Sequence, residues 1–214
     1  NEIIMHTILN ILSKTLSIVC YPLFIPSYGM ALYMWAMLHR TPTLPSIYIW
    51  LNIIGTFVLT ALIPIVLIII LWRQGRVSSL HITNPKERTV PYLYSTACFG
   101  FWCYFVSNTT HLPKVWLFIA LGATVALLAV TIINRWWKIS AHLTSMGGLL
   151  GGLISMGLYY NIVPTSLVIA LLVLSLLLMY ARLYLDAHTP MQVVCGYLLG
   201  ILCTFIPNWI MYHA

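Results

Sequence analysis

Two histidines with cationic neighbours are the residues of this sequence best suited to chemistry. His142 closes the segment Lys138-Ile-Ser-Ala-His142, and His188 lies between Arg182 and Gln192. Both segments interrupt long apolar runs, where a charged side chain costs roughly 2.5 to 3.5 kcal/mol on membrane-insertion scales. Because cations are kept there at that cost, the pattern favours a site that binds an anion.

The composition limits the protein to a membrane class. Of 214 residues, 61% are hydrophobic and 6% charged, whereas soluble domains have roughly 25% charged residues. Ten Lys and Arg against three Asp and Glu give a net charge of +7. Three acids are too few for a carboxylate-rich cage, so calcium binding and two-metal hydrolysis are not expected. We predict a single integral membrane domain over residues 1–214.

The apolar runs predict an all-α bundle of six or seven transmembrane spans. Pro22 and Pro26 must interrupt the first run, and Pro64 is expected to kink the second. Polar turns divide the later runs into two hairpins and a last span. The runs cover residues 15–39, 47–72, 90–107, 115–133, 139–181 with a turn at 161–164, and 193–212.

The hairpins bring three polar interruptions, residues 73–88, 134–142 and 182–192, to the same membrane face. This face then carries eight of the ten cations, Lys14, Arg73, Arg76, Lys86, Arg88, Arg135, Lys138 and Arg182, and the opposite face carries Arg40 and Lys114. One interpretation is the positive-inside rule, which would make the face cytoplasmic. The other is that several of these cations bind an anion.

The segment around His188 resembles the third signature of the type-2 phosphatidic acid phosphatase superfamily, S-R-x5-H-x3-D. Arg182 and His188 keep the spacing, Gln192 stands at the aspartate position, and residues 184–196 keep the common surroundings Y-L-x-x-H-x-P-x-x-V-x-x-G. The second signature, P-S-G-H, is kept at Ser140 and His142 and changed at Ile139 and Ala141.

The first signature, K-x6-R-P, is the poorest match. Arg88 can be its arginine, while Lys86 and His81 are rival candidates for its lysine. The resemblance therefore places the active site in residues 81–91, 138–142 and 182–192.

The resemblance implies a metal-independent, cofactor-free lipid phosphatase. His188 would be the nucleophile that takes the phosphoryl group, and His142 the acid that protonates the leaving group. Arg182, Arg88, Lys86, Lys138 and Ser140 would bind the phosphate. The substrate would be an amphiphilic lipid phosphate, such as a prenyl pyrophosphate, phosphatidic acid, phosphatidylglycerol phosphate or a phosphorylated glycolipid.

Gln192 is the main departure from the family pattern. On a helix it shares a face with His188 and can accept a hydrogen bond from Nδ1 of the imidazole, but it brings no negative charge. In serine proteases, replacing the orienting Asp with Asn lowers turnover about ten-thousandfold. Asp186 could assist His188, or it could simply pair with Arg182.

Two alternatives to hydrolysis remain open. An alcohol could intercept the phosphohistidine, which would make the protein a phosphoryl or phospho-headgroup transferase. A noncatalytic lipid-phosphate binder or carrier could have kept the cations and lost the carboxylate. A di-histidine haem site would not explain the cations.

The environment that we expect is a multi-pass position in the cell (inner) membrane, with the site on the outer face. Membrane lipids are expected partners and nucleic acid is not, because the aromatic residues fit interfacial belts. The sequence gives no oligomeric state.

Overall fold

The computed structural model describes residues 2–40, 45–79, 82, 85–109, 112–161 and 163–214. Eight α-helices account for most of these residues, which contain no β-strand. In chain order they are α1 Glu2–Val19, α2 Ile25–Arg40, α3 Ser46–Arg73, α4 Thr89–Asn108, α5 Lys114–Ile133, α6 Ala141–Tyr160, α7 Thr165–Tyr184 and α8 Pro190–His213.

The predicted all-α membrane bundle is confirmed. Five helices, α3 and α5 to α8, are long and apolar enough to cross a bilayer. Helix α4 packs along α5 as the first predicted hairpin, and α2 packs on α3 and α6. With these two helices, six or seven spans are plausible. Long helices fit a lipid environment because they satisfy their backbone hydrogen bonds internally.

A π-helical turn lies next to Pro64, where the sequence predicts a kink. This turn covers Val58–Leu62, just before the proline. Proline lacks an N–H and its ring crowds the carbonyl four residues earlier, so the chain widens there and continues as helix to Arg73.

The amino-terminal apolar run forms two helices separated by a short turn. Helix α1 ends at Val19 and α2 begins at Ile25. His6 contacts the Tyr184 hydroxyl at 3.1 Å, and Ser17, eleven residues later, contacts Arg182 at 3.1 Å. Because two distant residues of α1 contact two neighbouring residues of α7, α1 crosses the carboxy-terminal end of α7 and covers that end of the bundle.

Helices α6 and α8 form the most extensive helix pair and begin at the same end of the bundle. Glycine permits their close approach, because a Cβ added to Gly200 would collide with the Thr144 carbonyl oxygen. The Ser140 N–H donates to the Gln192 carbonyl oxygen at 3.2 Å. This packing holds the His142 and His188 segments side by side.

Candidate active site

A pocket of about 660 Å³, counted with the part that is open to its surroundings, lies where α4, α6 and α8 begin and α7 ends. Four of the residues singled out in the sequence line it: Arg88, His142, Arg182 and His188. The pocket therefore combines two imidazoles with two guanidinium groups from four separate segments of the chain.

His188 is oriented by two hydrogen bonds at one ring nitrogen. Its Nδ1 lies 3.0 Å from the Lys138 carbonyl oxygen and 3.2 Å from Gln192 Oε1. A carbonyl oxygen can only accept, so the hydrogen-bond pattern assigns the proton to Nδ1 and leaves the lone pair on Nε2.

The environment of His188 keeps its imidazole neutral. Burial lowers the pKa of His188 to about 4, and the nearby Arg182 guanidinium acts in the same direction. The hydrogen bonds to Lys138 and Gln192 oppose this shift. At neutral pH the ring is therefore uncharged, which is the form with a lone pair available for nucleophilic attack.

His142 occupies the second position of α6 and faces the end of α1. Its Nε2 donates to the Ser17 carbonyl oxygen at 3.1 Å. The Tyr21 ring meets the imidazole edge-on, with ring centroids 5.8 Å apart. A proton on Nε2 of His142 is thus available to a group that takes the place of the Ser17 carbonyl.

The two arginines are held differently. Arg182 donates from one terminal nitrogen to Ser17 Oγ at 3.1 Å, and its buried Nε has no hydrogen-bond partner among the described residues. Arg88 is 8% exposed and donates from Nε to the Ile82 carbonyl oxygen at 2.9 Å. Arg88 is thus fixed, whereas Arg182 keeps donor capacity for an anion.

Like charges are concentrated around this pocket. Burial lowers the pKa of Lys138, and the nearby Arg88 and Arg182 guanidinium groups lower it further. The amino termini of α6 and α8 add partial positive charge at the same end of the bundle. A bound dianion would relieve this mutual repulsion, so the electrostatics favour a phosphate group.

Other predicted site residues lie around the pocket without lining it. Ser140 is fully buried, and its Oγ caps α6 by accepting the Leu143 N–H at 3.5 Å. Lys138 is half-buried, and its carbonyl bonds His188. Lys86 is exposed, in the 3₁₀ turn Pro85–Glu87. His81 lies outside the described residues.

The two residues discussed as partners for His188 are also located. Gln192 forms a capping box at the start of α8, in which its Oε1 accepts the Thr189 N–H at 3.1 Å and Thr189 caps the helix in return. Asp186 is exposed and has a φ of 48° after the end of α7. Gln192 therefore has a structural role besides its contact with His188.

Sequence reasoning missed two contributors to the site. The Lys138 carbonyl orients His188, and Ser17 touches both His142 and Arg182. No sequence motif marks these two roles. Lys138 acts through its backbone carbonyl, and Ser17 reaches the site from α1, more than a hundred residues away in the chain. Among the described residues, no three His, Cys, Asp or Glu side chains form a group that could hold a metal ion.

Gln192→Leu is expected to lower kcat only about tenfold, because one hydrogen bond to His188 is lost while the Lys138 carbonyl remains. Loss of the capping box should also destabilise the protein by about 1 kcal/mol. The measurements are steady-state phosphate release from a lipid phosphate and thermal unfolding. Gln192→Glu is the matched control, since it keeps the acceptor and the cap. A thousandfold loss in Gln192→Leu with the fold intact would contradict this account.

Comparison with known families supports the motif analysis. The model of the PAP2 superfamily matches residues 124–213, which include α6 to α8 and both histidines. The resemblance to this superfamily is confirmed, and a partial match fits a divergent member. Members are typically phosphatases, which supports phosphatase activity on phosphate esters. No curated protein and no solved structure matches the chain.

Proposed function

With residues 124–213 identified as a PAP2 superfamily segment, we propose that this multi-pass membrane protein is a metal-independent lipid phosphatase with a phosphohistidine intermediate. The observation that carries the proposal is the orientation of His188. The Lys138 carbonyl holds Nδ1, so the Nε2 lone pair remains free in a pocket that also contains Arg182 and His142.

The first step transfers the phosphoryl group to the protein. The Nε2 lone pair of His188 attacks phosphorus, and the bond between phosphorus and the leaving oxygen breaks, with its electron pair staying on that oxygen. His142, as an imidazolium, donates its Nε2 proton to this oxygen and becomes neutral. The negative charge of the bound phosphate favours the imidazolium that this step needs.

The second step regenerates the protein. Neutral His142 takes a proton from a water molecule, whose oxygen attacks the phosphorus of phosphohistidine. The bond between phosphorus and nitrogen breaks, its electron pair returns to His188 Nε2, and inorganic phosphate leaves. Throughout both steps, Arg182 and Arg88 stabilise the equatorial oxygens, a task that metal ions perform in other phosphatases.

The position of the pocket supports the proposal of a lipid substrate. The pocket lies at one end of the bundle, level with the ends of helices that are able to span a membrane. A phosphate carried on a membrane lipid would reach this level from the bilayer, whereas its hydrocarbon part would stay among the helices. We therefore propose an amphiphilic phosphomonoester or pyrophosphate as the substrate.

The proposal is tested by phosphate release from a panel of lipid phosphates, using detergent-purified protein with EDTA present. We expect release that EDTA does not reduce, together with a covalent phosphoprotein intermediate. If no lipid phosphate is hydrolysed but lipid phosphates bind, the protein is a carrier. If the phosphoryl group is transferred only to an added alcohol and not to water, the protein is a transferase.

We further propose that the site faces outward from the cell membrane. When the site cations Lys86, Arg88, Lys138 and Arg182 are left out, one membrane face carries four Lys and Arg residues and the other carries two. This difference is too small for the positive-inside rule to assign the face to the cytoplasm. Intact cells should then hydrolyse a phosphate ester that cannot cross the membrane. Hydrolysis only after permeabilisation would place the site on the cytoplasmic side.

A further inference from the structure

A second, apolar space of about 790 Å³, counted with the part that is open to its surroundings, adjoins the catalytic pocket. One face of α5 lines it at helical spacing, from Trp116 through Ile119, Ala123 and Leu127 to Val130. The facing stripe of α6 runs from Ala141 to Met156. The name α5–α6 cavity is used below for this space.

The α5–α6 cavity adjoins the catalytic pocket. Four residues line both spaces: Pro22, Leu23, Leu127 and Ala141. Ala141 directly precedes His142, so the upper end of the cavity begins one residue from the proposed general acid. A molecule whose phosphate occupies the pocket can therefore extend into the cavity past these shared walls.

The walls of the cavity suit a hydrocarbon. The three hydroxyl residues in them direct their hydroxyls to helix carbonyls: Thr144 to Ser140, Ser145 to His142, and Thr204 to Gly148 and Gly200. The hydroxyl groups of these three side chains thus already donate hydrogen bonds to backbone carbonyl oxygens. An occupant would thus meet mainly apolar and aromatic surface, as is usual for pockets that bind hydrophobic ligands.

The length of the lining stripe on α6 suits a long hydrocarbon chain. The stripe on α6 covers fifteen residue steps, or about 22 Å at 1.5 Å per residue. This exceeds one bilayer leaflet, whose hydrocarbon part is about 15 Å thick.

We propose that the α5–α6 cavity binds the single hydrocarbon chain of the substrate, and that the enzyme is selective for lipid phosphates with one long linear or prenyl chain. This inference rests on the proposed phosphatase function. Ala123, midway along the α5 stripe, is then a specificity-determining position, because a large side chain there would block the path to the deep end.

The kinetic test compares Ala123→Phe with wild type on alkyl phosphates of increasing chain length, on a prenyl phosphate and on a diacyl phosphatidate. We expect Ala123→Phe to lower the ratio of kcat/KM for long over short chains about tenfold or more. Val125→Phe is the matched control, because Val125 is 56% exposed on the other side of the same helix. An unchanged ratio in Ala123→Phe, or a wild-type preference for the diacyl lipid, would overturn the proposal.

A second measurement does not depend on hydrolysis or on a folded variant. A non-hydrolysable alkyl phosphonate with a photoreactive group at the chain end is crosslinked to wild-type protein, and the labelled residues are identified by mass spectrometry. We expect labels at the deep end, on Trp116, Ile119 or Met156. Labels confined to exposed residues such as Val125 and Leu128 would overturn the chain site. Deep labels without phosphatase activity would retain the chain site and reject the proposed function.

Discussion

His188→Ala is expected to lower phosphate release at least about ten-thousandfold, the scale of loss seen when a covalent nucleophile is removed from a hydrolase. The other imidazole that lines the pocket, His142, donates its Nε2 proton to the Ser17 carbonyl oxygen and so has no free lone pair on Nε2. The measurement is single-turnover phosphate release from a lipid phosphate, with radiolabelled substrate to detect the covalent adduct. The adduct should be acid-labile and stable in base, as a phosphohistidine is, and it should be absent from the variant.

His188→Asn is the structure-matched variant for this experiment. Its side-chain N–H₂ can still donate to the Lys138 carbonyl, in the position of the imidazole Nδ1, but it has no nucleophilic nitrogen. His213→Ala, at the exposed end of α8, controls for the loss of a histidine outside the site. Persistence of the labelled adduct in His188→Asn would show that another residue is the nucleophile.

The orientation of His188 bears on how the substitution of Gln for Asp should be interpreted. From sequence, Gln192 weakens the case for catalysis, because the family pattern has a carboxylate there. In the structure, a backbone carbonyl already fixes the tautomer of His188, and Gln192 adds a second acceptor. Gln192 brings no negative charge opposite the imidazolium or phosphorylated ring, so we expect the bound phosphate to balance part of the developing charge.

The helices were predictable from sequence for a physical reason. A chain in lipid must satisfy its backbone groups within each span, so charge-free runs such as residues 115–133 translate almost directly into helices such as α5. Pro64 likewise marked the region in which α3 departs from regular geometry. Each hairpin returns the chain to the side of the membrane from which it started, so the sequence also predicts that the three polar interruptions meet at one end of the bundle. Arg88, His142, Arg182 and His188 from these interruptions do line one pocket.

The rest depended on tertiary contacts that no local pattern encodes. The sequence predicts one interrupted span or a re-entrant piece over residues 15–39. In the structure these residues fall in α1 and α2, and the end of α1 lies over the site, with Ser17 touching His142 and Arg182. Ser140 fits a phosphate-binding motif by position, yet its side chain caps α6. Motif spacing indicates which residues approach each other, whereas the direction of each polar group depends on packing between α1, α6 and α8.

His142→Ala is the prediction that separates the two chemical steps. Loss of a general acid or base usually costs about a hundredfold to ten-thousandfold. With an alkyl phosphate, the alkoxide leaving group needs a proton, so both adduct formation and turnover should fall by that factor. With nitrophenyl phosphate, the leaving group is stable without a proton, so the first step should survive and only adduct hydrolysis should be slow.

The expected signature is a burst of nitrophenolate, stoichiometric with the enzyme, followed by slow turnover and an accumulated phosphohistidine. His142→Gln keeps a donor for the Ser17 carbonyl without an ionisable proton, so it should show the same burst if proton transfer is the role of His142. Wild-type turnover in His142→Gln would instead assign His142 to holding α1 over the site. Because the burst requires His188 and the slow phase reflects the missing base, a single time course tests both histidines in the proposed order.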